Sequence, residues 1–181
     1  MRAIFLAISW SLLLGSCREV SFAEPQPAGV EALPEIPLSL RGHYLSFDER
    51  TGDESDTLII ESWGYHIRDN QDKDWLGGGH LSDSLVVKFY ENYYFVNFKS
   101  GDQWVLRLLQ KKPSGGIRLL SIDLQNEAKG KELLARLGQA LKITEIRKGE
   151  DIFYQISPTS RQLMELIREG FFSGPELSKI R

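Results

Sequence analysis

The amino-acid sequence predicts an α+β fold: a curved antiparallel β-meander of about seven to nine strands packed with C-terminal helices. Three observations lead there. Between residues 40 and 124, short β-rich runs alternate with turn signals. After Leu124 the apolar spacing changes from the strand period to the helical one. The composition, 41% hydrophobic and 26% charged, is that of an ordinary globular domain. Once a leader is set aside, about 160 residues remain, enough to bury one core.

The folded part is expected to begin near Leu40. Seven strands follow, at Gly42–Phe47, Thr57–Glu61, Trp63–Arg68, Ser84–Tyr90, Tyr93–Lys99, Gln103–Gln110 and Ile117–Leu124. The breaks between them include Thr51-Gly52-Asp53, Gly77-Gly78-Gly79, Glu91-Asn92, Ser100-Gly101-Asp102 and Pro113-Ser114-Gly115-Gly116. Such short breaks favour hairpins, and hence adjacent antiparallel strands, over parallel crossovers. An internal echo is consistent with a meander: Ser55-Asp56-Thr57-Leu58-Ile59-Ile60 returns 27 residues later as Ser82-Asp83-Ser84-Leu85-Val86-Val87.

Leu133, Leu134, Leu137 and Leu141 then mark an amphipathic helix within Ala128–Leu141. Ile143–Arg147 and Ile152–Ile156 read as two further strands around Lys148-Gly149-Glu150. Thr159-Ser160-Arg161-Gln162 fits a capping box, in which Thr and Gln side chains satisfy the first backbone N–H groups reciprocally. Leu163, Leu166 and Ile167 give that second helix a buried stripe, Gly170 fits its stop, and Pro175 is expected to open a last short helical turn.

Upstream of the domain, Arg2 and the uncharged stretch Ala3–Leu14 read as a signal peptide. That stretch is about 12 residues, short of the roughly 20 that cross a bilayer core. Two cleavage sites compete. Leu14-Gly15-Ser16-Cys17 resembles the lipobox of bacterial lipoproteins, and Ser21-Phe22-Ala23 is a small-x-small site with cleavage before Glu24. The lipobox abuts the apolar stretch directly, and Cys17 is the sole cysteine. The lipoprotein resemblance implies cleavage before Cys17 and acylation of its sulfur, with two or more chains giving a stable anchor. It implies a protein of the bacterial envelope, facing the periplasm or outside; Arg18 after the cysteine points to the outer membrane by analogy with enteric lipoproteins. The expected organisation is therefore a signal peptide at 1–16, a lipidated tether at 17–39 and one globular α+β domain at 40–181. Four of seven prolines fall between Pro25 and Pro37. An extended tether of that kind would reach on the order of 60 Å.

Charge is unevenly spread. Glu24–Asp83 holds 13 acidic and 4 basic residues, a net of −9, whereas Ser84–Arg181 holds 11 acidic and 16 basic, a net of +5. The asymmetry would orient the domain at a charged surface or steer a partner, unless it only reflects acidic loops on one side. No long basic run points to nucleic acid. With no cysteine after Cys17, no disulfide joins the domain.

Catalytic chemistry finds little foothold. There is no Gly-x-Ser-x-Gly elbow. His43, His66 and His80 lie on or beside expected strands, where two of them with Asp69 or Asp83 would make a metal site, although exposed histidines are commoner. Asp69-Asn70-Gln71-Asp72-Lys73-Asp74 lacks the order and the closing glutamate of a calcium loop. Gly77–Gly79 precedes a strand rather than a helix and reads as a flexible loop. No cofactor is implied.

The aromatic residues are denser. Tyr94, Val96 and Phe98 face one way along their strand and Tyr93, Phe95 and Asn97 the other, as in a sheet covered on both faces. Tyr44, Trp63, Tyr90, Tyr94 and Trp104 are the candidate ligand-facing rings, against the simpler reading that these aromatics build the core. Leu40-Arg41-Gly42-His43-Tyr44 resembles the Leu-x-Gly-x-Trp opening strand of lipocalin-like domains, with Tyr44 at the tryptophan position. That resemblance implies a barrel with an attached helix and a carrier's cavity. The function expected from the sequence is a membrane-tethered binding or accessory domain with an envelope protein as partner. The alternative is a lipocalin-like carrier of a small apolar ligand, and an enzyme assembled by the fold from acidic residues and histidines is the third reading.

Overall fold

A computed structural model describes residues 18–47, 54–68 and 75–180. Among them are twelve strands and two helices. The strands are β1 (Arg18–Phe22), β2 (Gly42–Phe47), β3 (Glu54–Ile60), β4 (Gly64–Arg68), β5 (Trp75–His80), β6 (Leu85–Tyr90), β7 (Tyr93–Ser100), β8 (Gln103–Lys111) and β9 (Ile117–Leu120). Helix α1 (Glu127–Ala140), β10 (Thr144–Lys148), β11 (Asp151–Ile156), α2 (Ser160–Arg168) and β12 (Glu176–Lys179) complete the chain order. The fold is β-rich as expected, but the sheet is mixed and twelve-stranded, not a meander of seven to nine strands.

Local pairing follows the sequence. β2 to β5 pair consecutively and antiparallel, and so do β6 to β9. The β6–β7 turn places both Glu91 (φ 42°) and Asn92 (φ 68°) in the left-handed region. That geometry matches the twist of the flanking strands in a two-residue hairpin. Both helices lie where the period placed them. Asn126 caps α1 by accepting from the Lys129 N–H at 3.0 Å. In α2 the capping box is complete: the Gln162 N–H donates to Thr159 Oγ1, and the Thr159 N–H donates to Gln162 Oε1 at 2.9 Å.

Three expectations are corrected. The first is the tether: Arg18–Phe22 is a strand inside the sheet, parallel to β11 along its length and antiparallel to β8 at Ser21–Val105 and Phe22–Trp104. Val20, Ser21 and Phe22 are buried. The chain that follows is clamped down rather than free. Asn97 accepts from the Gln26 N–H at 2.7 Å and donates to the Gln26 carbonyl at 2.8 Å, imitating a strand partner. Lys88 Nζ donates to the carbonyls of Pro25 and Pro27 at 2.7 and 2.9 Å. Its burial lowers the lysine pKa.

The second correction concerns Gly77–Gly79, which lies within β5, with Gly78 opposite His66 and Gly79 opposite Tyr65. A Cβ on Gly79 would come within 2.9 Å of Leu85 Cδ2 and 3.0 Å of Tyr65 Cε1. Glycine is there because two large side chains cross over it, the usual meaning of glycine inside a strand. The third is the segment after Pro175, which forms β12 instead of helix and lies between β9 and β2. A Cβ on Gly174 would collide with the Leu119 carbonyl, so the approach to β9 needs that glycine.

Strand β8 is the branch point of the sheet. One edge pairs with β7 along nearly its full length; the other is shared between β1 near Trp104–Val105 and β9 at Leu108–Lys111. Among the described residues no ladder joins β5 to β6. The segment from Ala32 to Leu40 crosses that interval. Its Leu33 N–H donates to Val87 O on β6 at 2.7 Å, and its Ile36 N–H donates to Ser62 O in the β3–β4 turn at 2.8 Å.

Two apolar clusters result, one on each face of β7 and β8. Phe95, Leu106 and Leu108 join Val20 and Phe22 of β1 under α1 and α2, where Leu137 and Leu163 are fully buried. Val96 and Leu109 join Tyr44, Ile60, Leu85 and Leu177 on the concave side.

Candidate functional site

The concave side is not filled. A cavity of about 350 Å³ lies inside the curl of the sheet. That volume is within the roughly 300–1,000 Å³ typical of small-molecule sites. Strand alternation builds its wall, because every second side chain points inward. Leu58 and Ile60 come from β3, Tyr65 and Ile67 from β4, Leu85 and Val87 from β6, and Val96 and Phe98 from β7. Ile36 and Leu40, on the segment that crosses between β6 and the β3–β4 turn, also line it. Tyr65 stands edge-on to Phe98, with ring centroids 6.0 Å apart at 88°. Burial raises the Tyr65 phenol pKa, so the ring enters the site as a neutral hydroxyl.

Two charged residues interrupt this apolar lining, Asp56 on β3 and Arg107 on β8. Arg107 occupies the branch point of β8, and its guanidinium grips Glu19 of β1 with two hydrogen bonds at 2.8 and 3.3 Å. It also donates to the Leu106 carbonyl at 3.1 Å. A bidentate pair of this kind neutralises the cation. Asp56 differs: among the described residues no side chain forms an ion pair or hydrogen bond with its carboxylate.

None of the five aromatic candidates lines the cavity. Tyr44 and Tyr94 belong to the same concave cluster but act as packing. Tyr44 is fully buried, donates its hydroxyl to the Leu40 carbonyl at 2.8 Å, and has its pKa raised by burial. Tyr94 lies 4.7 Å from the Phe89 ring, with its hydroxyl 3.4 Å from Ser39 Oγ. Trp104 and Tyr90 are on the helix side of the sheet. Trp63 is exposed in the β3–β4 turn and stacks on His80 at 4.3 Å. These rings stand out by the density of aromatics in the sequence, whereas the wall is made mainly of aliphatic residues at alternate positions, with Tyr65 and Phe98 among them. The internal echo, read only as a sign of a meander, held a signal for this wall: its two copies supply Leu58 and Ile60 on β3, and Leu85 and Val87 on β6.

The histidines gather on the outer surface of β2 to β5. His43 and His66 both pair with Ile59, on either side of it. His66 is buried, and that desolvation lowers its pKa, with Glu61 opposing and Arg68 and His43 adding to the drop. Among the described residues no three metal-ligating side chains converge. Cys17 and the acidic run Asp69–Asp74 lie outside the described residues. No helix among the described residues is long and apolar enough to cross a membrane. Compared with known proteins, the chain matches no family model, no curated sequence and no solved structure.

Proposed function

We propose that this chain is an exported, lipid-anchored protein of a bacterial envelope whose domain binds a small apolar molecule inside its curved sheet. The cavity carries the reading. Protein interiors are close-packed, and unfilled volume forfeits dispersion contacts along its whole lining. The cavity is partly open, holds about 350 Å³ within a largely apolar wall, and lies on the concave face that the lipocalin-like resemblance implies.

The location of β1 bears on the anchor. Cleavage before Glu24 would remove the whole of β1, whose Phe22 is 1% exposed and which is flanked by β8 and β11. Cleavage before Cys17 leaves the strand intact. This supports the lipobox over the alternative site. It also shortens the spacer: with Arg18 already in the sheet, the acyl chains on Cys17 would hold the domain close against the headgroups.

Native and denaturing mass spectrometry of the protein from its own host tests both parts. The expected result is an N-terminus at acylated Cys17 and a bound small molecule lost on denaturation. A chain beginning at Glu24 overturns the anchor, and a repeatedly ligand-free native mass counts against the carrier. Cys17→Ala is expected to release the protein from the membrane fraction.

A further inference from the structure

We infer that the cavity takes an amphiphile with a cationic polar end, seated against Asp56; this rests on the carrier reading above. The argument starts from what the fold does not need. Aspartate is depleted in strands, and a carboxylate set in an apolar wall costs free energy unless something pairs with it. Asp56 nonetheless lines the cavity in the same row as Leu58 and Ile60, and no described side chain pairs with it. Its counterpart in the internal echo, Asp83, is solvent-exposed and carries no such cost.

The charge balance of the wall then sets a sign. Arg107 and Glu19 cancel through their two hydrogen bonds, so among the described lining residues the remaining charge is the Asp56 carboxylate. Among the described lining residues, an anionic head would meet a guanidinium that is already engaged and a carboxylate that repels it. A cationic head would meet the unpaired partner. A cation beside the carboxylate gains a Coulomb attraction, weakened by the effective dielectric of a near-surface site. Solvent access at Asp56 reduces this, and about tenfold discrimination is the expected remainder. The geometry suits a linear molecule. At roughly 3.3 Å per residue, Asp56 to Ile60 spans about 13 Å of wall, with the charge at one end and aliphatic side chains beyond it.

The test compares three probes of equal chain length, dodecylamine, dodecanol and dodecanoate, each below its micelle threshold. They compete with N-phenyl-1-naphthylamine, a neutral fluorescent reporter of the cavity itself, bound to the mature protein. The expected order is amine tightest, about tenfold over dodecanoate, with dodecanol between. Asp56→Asn is expected to remove that difference. Dodecanoate binding as well as or better than the amine overturns the charge inference and leaves the carrier reading intact. So does an amine preference that survives in Asp56→Asn. Failure of the reporter and all three probes to bind overturns the carrier reading itself. Should Asp56→Asn not fold, the order of the three probes on the wild-type protein still decides.

Discussion

The two faces of β7 and β8 share one backbone and meet opposite fates. On the helix side, Phe95 and Leu108 are fully buried in one cluster with Leu163 and Leu166 of α2 and Leu137 of α1. On the concave side, Val96 and Phe98 look across empty space towards side chains of β3, β4 and β6. Helices slide along a sheet until their side chains interlock. A sheet curling back on itself cannot, because its radius is set by strand pairing and the closing segment, whatever the side chains inside would prefer. Aliphatic residues around such a curl therefore leave a hollow.

Removing β1 is the most severe way to break this comparison. Deleting residues 18–23 takes Val20 and Phe22 from the helix-side cluster and Glu19 from Arg107 at the cavity edge. It also bares facing edges of β8 and β11. The expected outcome is loss of cooperative thermal unfolding and aggregation during purification. A normal melt of the shortened protein would show that β1 is dispensable and would restore the Ala23 cleavage site.

Paired substitutions sharpen the contrast. Leu163→Ala, at a fully buried position under the sheet, is expected to cost about 3 kcal/mol in denaturant unfolding. Val87→Phe points extra volume into the cavity and is expected to stay within about 1 kcal/mol of wild type. The same variant should weaken N-phenyl-1-naphthylamine binding at least tenfold, whereas Leu163→Ala leaves binding in the folded protein intact. Equal destabilisation by the two changes would mean that the concave side is as tightly packed as the helix side.

The smallest expected effect comes from a third surface, the outer face of β2 to β5. Burial holds His66 below the ordinary histidine value of about 6.5, so the folded state favours its neutral form. The unfolded chain then binds the proton more readily. The stabilising contribution is complete above about pH 6.5 and is lost as pH falls from there through the folded value. A melting temperature that declines over that acid range in the wild type, and less in His66→Gln, is the expected result. Identical pH profiles for the two proteins would remove His66 as the cause.

Several elements were legible in the residues alone for reasons that act over a few positions. The capping box at Thr159–Gln162 satisfies its own backbone, and helical spacing around Leu133–Leu137 needs only a helix to express it. Alternation placed Tyr94, Val96 and Phe98 on one face and Phe95 on the other. By contrast, Arg18–Phe22 reads as tether because it is short and precedes a proline-rich stretch. It becomes a strand only when β11, from the far end of the chain, supplies its parallel partner.

The same division runs through the candidate site. The sequence by itself determined the strand and helix periods and most of the hairpins, because local hydrogen bonding and side-chain alternation are short-range. It opened one strand at Thr57 and left out Asp56, which the structure adds to β3 and its inward row. Only the tertiary structure decided that β12 lies between β9 and β2, that Arg107 is neutralised by Glu19, and that the concave face holds a cavity lined mainly by aliphatic side chains with the Tyr65 and Phe98 rings. Those features depend on contacts between distant parts of the chain and on the curvature they impose. Neither is encoded in any single stretch of residues.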